Sequence, residues 1–549
     1  MTSKFYNQSF NKYLTFILFL IIGLIIYKDY GHNIDEKFHR SNGFYWLQYI
    51  AEYFNFEQLA YLSKEKLNSI TGFTLSPIEH YNKYGIIFDV PAAIVELVLK
   101  LENPIDYYQA RHLLVFLYFY IGLIFFYKIL INRFKKDGIA LLGVILLFFT
   151  PRILGDSFQN IKDIVFLTFT IITTYYYFKT VDRFSKINIV LFSLFSAITT
   201  TVRMFAIFFP ITFLFFWFLS FSKKTYKKET KYILLYIVGY IFFLVLVWPL
   251  LWENTIESFV SYFEILNDYF NAKVLFLNNY YSANLLPYSY LPVWIFISTP
   301  VLHLILFFLG FSTMFIRFFK RYTNVKNNSI YSDFWRGKNE KKDFFIFFNF
   351  VFIILGIIFL NIKLYNSWRI GYFLYFFIIY FGIFYLNLLL IKVKKNHFKQ
   401  LIVKFLFCIL MLLTIYRIAI YHPYQSLYFN ILTPNKIKNS VEVDYTGLAS
   451  IEFLNKILKE NDHKNIIKVG IASWYPLWRM LELIENKDGK KIKIVDNKKK
   501  FTSDYIYTNR ISDVDKKYNK KYDIPDNFFK YQELIIDGAI IYEVYKRKQ

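Results

Sequence analysis

The chain has 549 residues, of which 56% are hydrophobic, 22% aromatic and only 19% charged. Long stretches such as 232–251 and 344–360 carry no charge at all. They match the roughly 20 apolar residues that cross the hydrocarbon core of a bilayer. The composition therefore predicts a polytopic membrane protein and excludes a disordered, collagenous or small disulfide-bonded chain. The single cysteine, Cys408, lies in an apolar run, so no intramolecular disulfide can form.

The formal net charge of +25 is concentrated in short links between the apolar runs. Clusters of Lys and Arg occupy 133–136, 223–231, 317–342 and 392–399. The positive-inside rule places these links in the cytoplasm. A nucleic-acid-binding protein would need a folded basic face with base-stacking groups, which hairpin links do not offer. We therefore expect these basic links to lie beside a lipid bilayer and not to bind nucleic acid.

The apolar runs predict about eleven membrane crossings, with the N-terminus inside and the C-terminus outside. The first run follows Lys4 and Lys12 and lacks a small-residue cleavage pattern, so it is interpreted as a retained signal anchor. The predicted spans are 13–29, 110–131, 138–152, 159–180, 187–202, 204–222, 231–251, 291–316, 344–361, 369–391 and 400–421.

The first outer loop, about 30–109, is predicted to hold two helices that do not cross the membrane. Apolar residues at helical spacing over 44–62 predict one amphipathic helix lying on the bilayer. The run 86–101 is apolar but carries Asp89 and Glu96, and counting it as a crossing would move the basic link 133–136 outside. We interpret it as an interfacial or re-entrant helix.

Three further regions face outward in this topology: the short loop 152–158, a long loop at about 252–290, and everything after residue 421. The composition changes at His422, where charges of both signs appear. Short strands are predicted at 466–471, 491–495, 505–507 and 540–545, around a helix at 450–460. The sequence thus predicts an α-helical membrane domain, 1–421, and a small extracytoplasmic α/β domain, 422–549.

Two pairs of acidic residues lie at predicted outer membrane ends. Asp35 and Glu36 follow the first span, where adjacent carboxylates are costly to desolvate and so are candidates for function; the alternative is a hydrated loop start. Asp156 and Asp163 flank the junction of the third and fourth spans. Asp163 has an ordinary alternative, pairing with Lys162 at a helix start, whereas Asp156 has no such local partner.

Two arginines, Arg203 and Arg369, also lie near outer membrane ends. A planar guanidinium group at this depth favours a phosphate or carboxylate partner, which it binds through two parallel hydrogen bonds. The alternative for each is snorkelling to lipid headgroups.

Together these features resemble the C-type (GT-C) membrane glycosyltransferases. The nearest relatives would be the dolichyl-phosphate-mannose protein mannosyltransferases and the bacterial aminoarabinose transferases, the glycosyltransferase family 39 group. The resemblance runs from residue 1 to about 450. It rests on the retained first span, Asp35-Glu36, Asp156 after the third span, and the segments 286–294 with Thr299-Pro300, 368–373, 422–430 and 444–447.

The resemblance implies the roles of several residues. Asp35 would be the catalytic base, with Glu36 and Asp156 as further catalytic candidates. The donor would be a sugar on a polyprenyl phosphate, whose leaving phosphate needs cations. Arg369, Arg203 and Lys83 are the candidates, with Asp163 beside them in the substrate-binding set. Some relatives use a divalent metal ion; His32, His39 and Glu36 are conceivable ligands, but no fixed spacing requires one, so the metal is left open.

The predicted function is an inverting glycosyltransferase at the outer face of a bacterial inner membrane, acting on an unidentified glycan, lipid or protein acceptor. Protein mannosyltransferases carry an inserted domain in a late outer loop that this chain lacks, so a protein acceptor does not follow from the resemblance. The alternative is a transporter or flippase of lipid-linked or envelope substrates, which should show paired discontinuous helices or an internal repeat. A non-catalytic scaffold would not need Asp35, Asp156 and Arg369 on one face.

Overall fold

The computed structural model describes residues 2–70, 85–220, 226–267, 273–323, 335–461, 466–484, 491–515 and 517–548. The helices of the membrane domain are α1 (Thr2–Ile26), α2 (Glu36–Tyr53), α3 (Glu57–Ser69), α4 (Asp89–Val98), α5 (Pro104–Phe134), α6 (Asp137–Phe148), α7 (Pro151–Gln159), α8 (Asp163–Asp182), α9 (Lys186–Val202), α10 (Phe208–Leu219), α11 (Tyr226–Val247), α12 (Thr255–Asn267), α13 (Tyr290–Ser298), α14 (Val301–Thr323), α15 (Lys338–Phe359), α16 (Leu374–Val393) and α17 (His397–Tyr421).

The chain is an integral membrane protein. Within the described residues, seven helices are long and apolar enough to cross a bilayer: α5, α8, most of α11, α14, α15, α16 and α17. The pair α6 and α7 makes an eighth candidate, bent by 66° between the two helices. Three shorter apolar helices, 11–26, 186–202 and 204–219, coincide with the remaining predicted spans. The predicted α-helical polytopic fold is confirmed.

The first outer loop differs from its prediction in one respect. The single amphipathic helix expected over 44–62 is wrong, because α2 ends at Tyr53 and α3 begins at Glu57. Asn55 turns the chain between them with a positive φ of 58°. Trp46 and Leu47 are buried, whereas Tyr53 is exposed.

The helix α4 has ten residues, about half of what a crossing needs. Its two acidic side chains, which are unusual in an apolar run, are buried against α2. Asp89 accepts from the Asn42 amide at 2.6 Å and lies 3.0 Å from His39 Nδ1, and Glu96 accepts from Arg40 at 2.6 Å. Paired charges therefore join α4 to the helix that begins beside Asp35, since burying them unpaired would be costly.

The C-terminal region forms a small sheet with a helix beside it, as predicted, but it has five strands, and the strand at 528–536 was not predicted. Helix α19 (Ser450–Glu460), which follows the short α18 (Asn435–Lys438), contacts the sheet through Phe453, whose ring lies 5.1 Å from that of Tyr507 and 6.2 Å from that of Tyr542. The hairpin β1 (Lys273–Phe276) and β2 (Asn279–Ser282) precedes the sheet in the predicted long outer loop. The five strands are β3 (Ile467–Ile471), β4 (Ile492–Ile494), β5 (Tyr505–Thr508), β6 (Phe528–Ile536) and β7 (Ala539–Arg547), in the order β4-β3-β5-β7-β6. The strands β4, β3 and β5 are parallel and β7 is antiparallel to both its neighbours, so the sheet is mixed.

The turn between β6 and β7 attaches this sheet to the membrane domain. Asp537 in that turn forms ion pairs with Arg417 of α17 and with Lys438, and it accepts from the Tyr421 hydroxyl at 3.0 Å. Burial alone would raise the pKa of Asp537, but these hydrogen bonds lower it to about 2. The carboxylate is therefore ionised at neutral pH and holds the hairpin against the last membrane helix.

Candidate active site

Asp35 and Arg369 form an ion pair at one end of the helix bundle. Arg369 Nη1 lies 2.7 Å from Asp35 Oδ2. The Arg369 side chain is buried, whereas 42% of the Asp35 side chain is exposed. Arg369 is thus not an arginine that snorkels to lipid headgroups. Burial would raise the pKa of Asp35, but the charges of Arg369, His39 and Lys162 outweigh it and hold the pKa below its usual value.

Arg369 also faces a second carboxylate. Its Nε atom lies 3.9 Å from Asp163 Oδ2, and Asp163 forms an ion pair with Arg203. Asp163 begins α8, where a carboxylate is favoured by the exposed N–H groups of the first turn. The alternative prediction, in which Asp163 pairs with its neighbour Lys162, omits these contacts with Arg203 and Arg369.

Asp156 joins the same cluster through amide side chains. It accepts from Gln159 Nε2 at 2.8 Å and from Asn160 Nδ2 at 2.9 Å, and Asn160 also donates to Asp163 at 3.1 Å. The local partners of Asp156 are therefore neutral amides and not a neighbouring basic residue, and both lie within one helical turn of it.

The amides close a ring of contacts around Asp35. Asn33 accepts from the Asp35 backbone N–H at 2.9 Å and donates to Gln159 at 2.5 Å. Gln159 donates to Asp156, and Asn160 donates to both Asp156 and Asp163. Arg369 faces Asp163 and forms the ion pair with Asp35. The structure therefore brings Asp35, Asp156, Asp163, Arg203 and Arg369 into one network at one face.

A tight turn fixes the position of Arg369. Asn366 and Ser367 both have positive φ values, 53° and 58°, which are uncommon outside glycine. The turn is held by Trp368 Nε1, which donates to Ser298 at 2.7 Å, and by the Tyr290 hydroxyl, which donates to the Ser367 carbonyl at 2.9 Å. Strained backbone of this kind persists where the surroundings fix it, and it is common at functional sites.

Glu36 lies between two buried histidines and accepts from the Asn33 backbone N–H at 3.3 Å. Glu36 lies 2.8 Å from His32 Nδ1 and 3.0 Å from His112 Nε2. Burial would raise the pKa of Glu36, but the two histidines lower it to about 2. Glu36 is only 1% exposed, so it is less accessible to a substrate than Asp35.

The suggested metal ligands do not all converge, because only His32 and Glu36 are in contact. His39 contacts Asp89 instead of Glu36, and no group of three His, Cys, Asp or Glu side chains in the described part of the chain is arranged to hold a metal ion. A divalent metal remains a prediction from the resemblance.

Two lysines differ from the other candidate residues. Lys83 lies outside the described residues. The sequence predicts Lys162 only as a partner for Asp163, but in the structure it also interacts electrostatically with Arg203, Arg369 and Asp35. Burial and the two neighbouring arginines lower the pKa of Lys162 well below its usual value. In the sequence, only the position of Lys162 directly before the segment that forms α8 indicates that it lies near these charged residues.

One protein-family model matches part of the chain by sequence. Residues 90–252 match the family model described as dolichyl-phosphate-mannose-protein mannosyltransferase. The predicted resemblance to GT-C glycosyltransferases is confirmed. The matched residues include Asp156, Asp163 and Arg203, whereas Asp35 and Arg369 lie outside them.

Two solved structures to which the chain is similar are oligosaccharyltransferases of Archaeoglobus fulgidus. The complex with Zn and sulfate has a TM-score of 0.43 and 10% sequence identity, over 90% of this chain and 68% of that chain. AglB in complex with an inhibitory peptide and a dolichol-phosphate has a TM-score of 0.42 and 10% identity, over 91% of this chain and 70% of that chain. Scores at this level add no argument about function. The chain matches no curated protein.

Proposed function

We propose that this protein is an inverting glycosyltransferase that moves a sugar from a polyprenyl phosphate to an acceptor outside the cytoplasm of a bacterial cell. The observation that carries the proposal is the Asp35–Arg369 pair, with its contact of 2.7 Å. It combines a partly exposed carboxylate, suited to accept a proton, with a buried guanidinium group, suited to bind a phosphate. The family match over 90–252 supports the same class of reaction.

Asp35 would act on the acceptor and Arg369 on the leaving phosphate, so an in-line displacement requires the two side chains, 2.7 Å apart here, to separate as the substrates bind between them. The acceptor hydroxyl or amine attacks the anomeric carbon and gives its proton to Asp35, which is ionised because its pKa is low. The bond between the anomeric carbon and the phosphate oxygen breaks, and its electron pair stays on the phosphate. Arg369 and Arg203 stabilise that negative charge. A single displacement of this kind inverts the configuration at the anomeric carbon.

Arg369 has hydrogen-bonding capacity for such a phosphate. Among the described residues its buried Nε atom has no hydrogen-bond partner, and the same is true of Arg203 Nε. An unsatisfied buried N–H is costly, so a site with two of them fits an oxyanion ligand.

The proposed orientation places the site outside and the basic links inside. Helix α8 carries Asp163 at one end and Asp182, paired with Lys342, at the other. A reporter fused after the C-terminus should be active only outside the cytoplasm, and one inserted at Lys395, in the link between α16 and α17, only inside. The reverse pattern at either position would move Asp35 to the wrong face.

A transporter remains the alternative. Discontinuous helices in transporters occur as corresponding pairs in two halves of the chain. The described residues contain one strongly bent pair, α6 and α7, so this structural signature is incomplete.

Deletion of the gene tests the proposed function. Mass spectrometry of the envelope glycans, lipids and proteins should show one sugar missing from one acceptor, restored by the wild-type protein but not by the Asp35→Asn variant. An unchanged set of modified acceptors would contradict the proposal. Accumulation of an otherwise complete lipid-linked molecule on the cytoplasmic side would instead favour the transporter.

A further inference from the structure

The C-terminal region contributes an arginine beside Asp35. Arg479 lies in the short helix Leu477–Leu483 that follows β3. Its Nη1 atom donates to the carbonyl of Ile34, the residue before Asp35, at 3.2 Å. Arg479 is close enough to Asp35 to interact with it electrostatically. This guanidinium group belongs to a region that lies outside the family match and outside the resemblance.

Several contacts hold this helix against the first outer loop. Glu482 forms an ion pair with Lys37 at 2.8 Å and accepts from the Tyr108 hydroxyl at 3.1 Å. The Ile34 backbone N–H donates to the Thr446 carbonyl at 3.3 Å. Arg479 is therefore placed by a fixed interface and is not a surface side chain that happens to lie near the site.

The first outer loop also lies very close to the C-terminal region at Gly31 and Leu448. A β-carbon at Gly31 would lie only 2.2 Å from the carbonyl oxygen of Leu448. Real β-carbons do not come so near, so the two backbones meet at a distance that only glycine permits.

Three arginines lie around the exposed carboxylate Asp35. They are Arg203, Arg369 and Arg479, and Asp156 and Asp163 are the other carboxyl groups of the cluster. Of these acidic side chains only Asp35 is substantially exposed, and a ligand that reaches Asp35 is close to both Arg369 and Arg479. Two guanidinium groups can each present a fork of N–H donors to phosphate oxygens.

We propose that Arg479 binds the phosphate of the lipid-linked donor together with Arg369, so that the C-terminal region forms part of the donor site. This inference rests on the proposed function, because it takes the donor to be a polyprenyl phosphate. It assigns the sheet region a role in substrate binding: that region carries a phosphate-binding residue to the membrane domain and is attached there through Asp537 and Glu482.

Direct binding of a synthetic polyprenyl monophosphate to the purified full-length protein tests the inference. Arg479→Gln should weaken binding about tenfold to hundredfold, the usual range for losing a hydrogen bond to a charged group. Arg479→Lys keeps the charge and should lose less. Arg510→Gln is the matched control, because Arg510 lies in the same region and donates to Asn439; it should bind as the wild type does.

Two further ligands separate phosphate binding from a structural effect. The corresponding polyprenol, which lacks the phosphate, should bind the wild type and Arg479→Gln equally, and inorganic phosphate should compete only weakly because it lacks the chain. An equal loss of polyprenol binding in Arg479→Gln, or unchanged polyprenyl phosphate binding, would overturn the inference. If the wild type itself does not bind polyprenyl phosphate, the proposed donor is wrong, which is a different outcome. Should Arg479→Gln fail to fold, the Arg479→Lys variant decides by the same comparison.

Discussion

Replacing Asp35 by Asn should abolish sugar transfer while leaving the protein folded. The change is nearly isosteric and removes the proton acceptor, and a positioned general base typically contributes about a hundredfold to ten-thousandfold to the rate. We expect a loss in kcat of this size in a purified assay, with unchanged expression and thermal unfolding. The loss should exceed that of Glu36→Gln, because Glu36 is buried between His32 and His112.

Asp29→Asn is the matched control for Asp35. Asp29 is a similarly exposed carboxylate near the same membrane face and pairs with His422 at 3.0 Å. It should transfer sugar at the wild-type rate. The pH dependence gives a second check: a base with a lowered pKa stays ionised into the acid range, so kcat/KM should fall only below the usual carboxyl pKa of about 4. Normal turnover by a well-folded Asp35→Asn protein would assign the base to Asp156 or Glu36.

Replacing Arg369 by Lys should lower kcat/KM about tenfold to hundredfold, which corresponds to losing one charge-assisted hydrogen bond. Lysine keeps the charge but lacks the planar fork that contacts Asp35 at 2.7 Å and faces Asp163 at 3.9 Å. The loss should appear with the lipid-linked donor at constant acceptor concentration.

Arg317→Lys is the control for Arg369. Arg317 also contacts a carboxylate, Glu340, at 3.3 Å, but 44% of its side chain is exposed. This variant should keep wild-type kinetics. Wild-type kinetics for Arg369→Lys as well would mean that Arg369 is structural, and the phosphate would then have to be bound by Arg203, Arg479 or the uncharacterised Lys83.

The sequence predicted most of the membrane fold because hydropathy is a local property. The spans that became α5, α8, α15, α16 and α17 were placed within about six residues, and the positions of the shorter apolar helices agree as well. The single span predicted at 291–316 is wrong, because the chain breaks at Thr299-Pro300 into α13 and α14. The break at 54–56 escaped prediction because the apolar periodicity continues across it, and only the positive φ of Asn55 reverses the chain there. The helix α7 escaped for a different reason: Arg152, Asp156 and Gln159 make this segment polar, so 152–158 was predicted as a short loop, which is wrong because Pro151 begins a buried helix there.

The charged members of the candidate site were also visible in the sequence, because Asp35, Asp156, Asp163, Arg203 and Arg369 all lie at predicted outer ends of spans. The uncharged residues that connect them were not visible in the sequence. Asn33 meets Gln159, a residue 126 positions away, and neutral amides are common in loops, so neither drew attention. Arg479 was invisible for a stronger reason. It reaches Asp35 only because the C-terminal region folds back onto the first outer loop, 445 residues earlier in the chain.

The most direct test of the account is transfer by the purified protein in liposomes, supplied with polyprenyl-phosphate sugars extracted from the membranes of its native cells and with an envelope extract as acceptor. The account predicts that free polyprenyl phosphate is released in step with sugar transfer, that the anomeric configuration of the product is opposite to that of the donor, and that Asp35→Asn stops both. Product with the donor's configuration, or transfer that releases no polyprenyl phosphate, would contradict it.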